Sequence, residues 1–86
     1  MPTISQFYGI QIIMRYSERH GPHFHAEYAD AEALVSILDG NVLGGKLSSR
    51  AYRLVLDWSQ LHRNELMENW ERARRHQTLK NIEGLE

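Results

Sequence analysis

Residues 23–45 read HFHAEYADAEALVSILDGNVLGG, and the fold turns on how this run is cut. Apolar and polar residues alternate in HFHAEY. Phe24, Ala26 and Tyr28 fall on one side, and His23, His25 and Glu27 on the other, the two-residue period of a strand. Ala29–Asp30 then reads as a short turn. AEALVSIL follows as a second strand, with Ala33, Val35 and Ile37 on the core side. Asp39–Gly40 between apolar runs is a hairpin signal, because glycine and its acidic neighbour tolerate the positive φ that tight hairpin turns require. It leads into a short strand at Val42–Leu43, ended by Gly44–Gly45. Tightly joined strands pair antiparallel.

Working outward, YGIQIIMRY at residues 8–16 alternates too, with Tyr8, Ile10, Ile12, Met14 and Tyr16 on one face. It is read as a further half-buried strand. From Ser48 the period changes to that of a helix. Ala51, Leu54, Val55, Trp58 and Leu61 form an apolar stripe, with Ser48 or Ser49 as N-cap. The stripe continues through His62, Leu66, Trp70 and Ala73. An unbroken helix from Ser49 to His76 would be about 42 Å long, against about 30 Å for the width of so small a domain. The helix therefore either bends near His62–Asn64, with Asn64 as the new cap, or overhangs the sheet. An overhang carrying Leu66, Met67 and Trp70 would need a partner chain to cover it. Arg72, Arg74, Arg75 and His76 suit a helix C-terminus, where cations complement the macrodipole. The expectation is an α+β domain over residues 1–76: an antiparallel sheet of three to four strands with a long or broken C-terminal helix packed on one face. Residues 77–86 form an extended or flexible tail.

Composition sets the functional limits. The chain has 86 residues, a net charge of −1 and no cysteine. That excludes disulfides and thiolate metal ligands, and argues against coating nucleic acid by bulk electrostatics. No apolar run is long enough for a membrane span, and MPTISQFYG lacks the pattern of a signal peptide. A cytoplasmic protein is expected.

Three of the five histidines lie in HGPHFHAEY, residues 20–28, and three uses for them stay open. His20, His23 and His25, with Glu27 as ligand or support, have the donor chemistry for a divalent ion such as zinc. Alternatively, His23 and His25 could serve as base and acid for RNA cleavage by the 2′-hydroxyl, with Arg15 or Arg19 holding the phosphate. In the third reading the histidines are the solvated face of a strand. His62, Trp58 and Trp70 share a stripe with aliphatic residues and are read as packing.

The opening MPTISQFYGIQIIMRY, the segment HGPHFHAEY and the helix GKLSSRAYRLVLDWSQLHRNELMENW together resemble the family catalogued as domain of unknown function 4160, from Met1 to about Ala73. Gly21 replaces the first proline of a proline–proline–histidine pattern common there. The resemblance implies a small prokaryotic, cytoplasmic protein with no established activity. It implies a partner as well, because such genes often neighbour one for domain of unknown function 2442, in what has been suggested to be a toxin–antitoxin-like pair. A homodimer or such a heteromeric pair is therefore the expected working form.

Overall fold

The computed structural model describes residues 3–16 and 21–85. Five strands form one antiparallel sheet in sequential order: β1 (Thr3–Phe7), β2 (Ile10–Ile13), β3 (His23–Tyr28), β4 (Ala31–Ser36) and β5 (Val42–Gly45). Two helices follow, α1 (Ser49–Leu61) and α2 (Arg63–Arg74). The α+β expectation holds, with one more strand than the sequence suggested. The missing strand is β1, whose TISQF has no clean alternation. Tyr8, expected to begin a strand, instead forms the β1–β2 turn with Gly9, at φ 51° and 80°. Phe7 pairs with Ile10 across that turn.

Short turns set the rest of the register. Ala29, at φ 53°, turns β3 into β4, so Tyr28 pairs with Ala31 and Glu27 with Glu32. Tyr28 was expected in the core but lies exposed beside this turn. The Asp39–Gly40 turn forms as expected. Gly40 donates to the Ser36 carbonyl at 2.9 Å, and Ser36 donates to the Asn41 carbonyl at 2.9 Å. Gly40 sits at φ +77°, and a Cβ there would come within 2.4 Å of Leu56 Cδ1. The turn is thus both left-handed and pressed against α1.

The core lies between one sheet face and the helices. Phe7, Ile10, Ile12, Phe24, Ala26, Ala33 and Val35 are buried there, with Ala51, Val55 and Trp58 of α1. Trp58 packs on Phe7 at 5.3 Å and edge-on to Phe24 at 5.8 Å between ring centroids. Burying an indole removes roughly 150–250 Å² from water, worth about 4–6 kcal/mol at the usual coefficient per unit area.

Ser48 caps α1, accepting from the Ala51 N–H at 3.2 Å. The helix then breaks at His62 (φ −117°, ψ 26°), which precedes α2 without giving a side-chain cap. The break falls in the expected place, but Asn64 is not the cap. Bending there brings the lower stripe back onto the protein. Leu66 and Trp70 are buried and Met67 packs partly buried against the core. Of the two alternatives the bend holds and the overhang does not: of the three residues read as a partner-binding face, Leu66 and Trp70 are covered by their own chain and Met67 partly so.

α2 ends where His76, at φ 56°, reverses the backbone. The His76 N–H bonds Ala73 and the Gln77 N–H bonds Arg72 at 2.8 Å. Residues 77–85, expected as a flexible tail, contain no helix or strand, and residues 81–84 lie along β1 as a strap. Ile82 is buried and donates its N–H to the Ile4 carbonyl at 2.7 Å. The Trp58 indole N–H bonds the Glu83 carbonyl at 2.8 Å. The Asn69 carboxamide bonds both backbone groups of Lys80. Among the described residues, no helix is long and apolar enough to cross a membrane.

Candidate functional site

Trp58 of α1 packs on the sheet face that carries Phe7 and Phe24; strand phase puts His23, His25 and Glu27 on the other. The expectation of a solvated histidine face fails, however. His23 is 1% exposed and His25 is 4% exposed. Their rings meet edge to face at 5.4 Å, and the Trp70 indole covers His23 at 5.2 Å. Because Trp70 comes from α2, the bend at His62 that removes the overhang also supplies a cover for the histidine.

Each ring is held by named polar groups. His23 Nδ1 lies 2.8 Å from the Gly21 carbonyl, which can only accept, so the proton sits on Nδ1. His25 Nδ1 lies 3.0 Å from Glu32 Oε2. Arg15 lays its guanidinium against the same ring, with Nη1 2.7 Å from Nδ1 and 2.9 Å from Nε2. Its Nη2 is 3.5 Å from Glu32 Oε2. Glu32 can accept from Nδ1–H, and the Arg15 guanidinium lies within bonding distance of both ring nitrogens. A carboxylate that fixes an imidazole, with a guanidinium beside it, has the parts of a base with an anion anchor. It also clamps the end of β2 to β3 and β4. Arg15 and Glu32 reach the surface, whereas the imidazole between them does not.

The structure brings together His23, His25 and Arg15 from the sequence-derived set and adds Glu32. The support role assigned to Glu27 corresponds to Glu32, its cross-strand neighbour. The turn at Ala29–Asp30 already contained that pairing, since a two-residue turn sets Glu27 opposite Glu32. His20 and Arg19 lie outside the described residues. Among the described residues, no group of three or more histidines, aspartates or glutamates is placed to hold a metal ion. His62 is half-buried near Trp58 and bonds Glu65, which fits its reading as a core-edge residue.

A second feature adjoins the cluster and was not read from the sequence. Leu34 and Ser36 pair with His25 and His23 across β3–β4. With Gly21, Pro22, Leu38 and Leu43 they line an open groove of about 420 Å³. Leu38 is 57% exposed, Leu43 55% and Val42 41%. β5 ends the sheet, and none of its residues is buried. The preceding turn is fixed to α1, because the Tyr52 hydroxyl donates to the Gly40 carbonyl at 2.7 Å. Asp39 accepts from the Asn41 N–H at 2.9 Å, and that bond foremost holds its carboxyl below the ordinary aspartate range.

Comparison with curated proteins and with solved structures returns no match. The model of one family, described as Domain of unknown function (DUF4160), matches residues 9–71. That span contains β2–β5, α1 and most of α2, and with them the histidine pair, Arg15, Glu32 and the apolar β5 end. The chain belongs to the domain of unknown function 4160 family.

Proposed function

We propose that the protein is a small interaction module that works bound to another chain. That chain is either a second copy or the partner of a toxin–antitoxin-like pair of the kind the family resemblance implies. One observation carries this reading: exposed Leu38, Val42 and Leu43 gather beside a groove at an open end of the sheet. Grouped large apolar side chains beside a groove mark contact surfaces, whereas scattered ones do not. The native mass of the protein, measured in extracts of cells that make it, tests the reading. The wild-type chain should run well above its 10.1 kDa monomer mass, and Leu38→Glu should shift it toward that mass. Monomer migration of the wild type would remove the reading.

A second reading, histidine-dependent RNA cleavage, is supported by the Arg15–His25–Glu32 arrangement. There, Arg15 would turn from the His25 ring to the phosphate and so open Nε2, which takes the 2′-hydroxyl proton while Glu32 holds Nδ1–H. His23 would protonate the leaving oxygen from Nε2, which requires a proton there besides the one its Nδ1 shares with the Gly21 carbonyl. Expression of the chain alone should then arrest growth, and His25→Ala should abolish the arrest. Arrest that persists in both His23→Ala and His25→Ala rules this mechanism out.

A further inference from the structure

We infer that α2 is a lid over the histidine pair, held shut by the C-terminal strap through the contact between Asn69 and Lys80. The use of such a lid rests on the histidine-dependent reading, because the imidazoles that reading needs are buried. A ring 1% exposed, as His23 is, cannot touch an RNA phosphate until its cover moves.

Three observations place the lid. First, β2 ends where Ile13 pairs with His25, so His23 extends beyond it. There Trp70 of α2, itself 5% exposed, covers the ring at 5.2 Å. Second, α2 is jointed at both ends. The non-helical His62, which gives no side-chain cap, separates it from α1. The left-handed His76 separates it from the strap. A few backbone angles at such joints are enough to swing the element between them.

Third, α2 is tied down partly by polar contacts that lead into the strap. The residues it buries are Leu66, Asn69, Trp70 and Ala73. Asn69, next to Trp70 in the chain and 1% exposed, bonds both backbone groups of Lys80, at 2.8 and 2.9 Å. Arg72 donates to the Thr78 carbonyl at 3.2 Å, and Glu68 meets the Lys80 ammonium at 2.8 Å. The strap beyond Lys80 is anchored elsewhere, on Ile4 of β1 and Trp58 of α1. Loss of that anchor is therefore passed through Lys80 to Asn69, and so to Trp70. Once Lys80 leaves, the Asn69 carboxamide is a buried polar group without its partners, a penalty that drives it toward water. Lids are drawn from segments that open locally at low cost, and this one opens on the histidines.

Acylation of His23 by diethyl pyrocarbonate, read residue by residue in the native full chain by mass spectrometry, is the test. Exposed His76 is the internal standard. In the wild type, His23 should react far more slowly than His76. Asn69→Ala cuts the tie. Gly84→Ala pushes the strap off β1, since a Cβ there falls 2.5 Å from the Gln6 carbonyl. Each should speed His23 by about tenfold, the factor that goes with losing a buried amide's bonds, while the wild-type circular dichroism spectrum is kept. Val55→Ala, a core loss in α1 that removes neither tie, should leave the rate unchanged, which separates lid opening from general weakening. His23 as reactive as His76 in the wild type overturns the inference. So does equal acceleration by Val55→Ala, or an unchanged His23 in both strap variants. Acylation is read without any cleavage, so a lid that opens in a chain that never arrests growth defeats only the histidine-dependent reading.

Discussion

β1 and β5 are the two outer strands of one antiparallel sheet, and the chain finishes them differently. Alongside β1 runs the C-terminal strap, with Ile82 beside Ile4 and Gly84 so close that a Cβ would lie 2.5 Å from the Gln6 carbonyl. Side chains from both helices hold it there: Trp58 of α1 bonds Glu83, and Asn69 of α2 bonds Lys80. β5 has no buried residue and ends in a pair of glycines. A bare strand edge is a template for pairing with another chain. Natural edges are blunted with charge, proline, bulges or shortness; β5 carries no charge or proline, but it is four residues long and its register against β4 shifts between Leu34 and Val35. The contrast is the ground on which the proposed association is placed at β5 and not at β1.

Substitutions on the closed side should cost folding free energy, and the largest loss is expected at the strap's anchor. Ile82→Ala removes a buried side chain and leaves a cavity, a change of about 2–5 kcal/mol, measurable by urea unfolding. A loss below about 0.5 kcal/mol, the usual value for surface positions, would show that β1 is no better closed than β5.

Asn69→Ala should cost less, about 1–3 kcal/mol, because the Lys80 N–H and carbonyl lose their partner together. The same substitution should raise amide exchange in residues 79–85 without affecting Val42–Gly45. If both regions change alike, the two edges are not independent.

The smallest effect concerns charge. Glu68 bonds Lys80 at 2.8 Å and Arg72 at 3.3 Å. Those bonds, Lys80's first, hold its carboxyl below the ordinary glutamate range. A lowered folded-state value means the contribution is present above the unfolded value and disappears as pH falls through the folded one. Glu68→Gln should therefore be slightly less stable than wild type near neutral pH and equal to it in acid. Thermal unfolding across that range checks the sign, and a gap that persists in acid would contradict it.

Strand phase and turn chemistry made most of this fold legible in the sequence. The alternation in HFHAEY separated Phe24 and Ala26 from His23 and His25 correctly, and Asp39–Gly40 marked a real hairpin. What phase could not show is what lies above the second face. His23 is buried because Trp70 arrives from α2, a contact 47 positions away that no local pattern contains. Leu66 and Trp70 misled for a related reason, since a helical stripe says which side is apolar and not where a bend at His62 will carry it. β1 was missed because its register shifts between Thr3 and Ser5, which breaks the alternation. Glu32, by contrast, was within reach, because the expected turn at Ala29–Asp30 already places it beside the histidine pair.

The difference between the edges is tested most directly by residue-resolved amide hydrogen exchange over a dilution series of the wild-type chain. At the lowest concentration the Ile82 amide, bonded to Ile4, should be protected, whereas amides of Val42–Gly45 that are not paired with β4 should exchange fast. Equal protection at the two edges of the dilute chain would contradict the account.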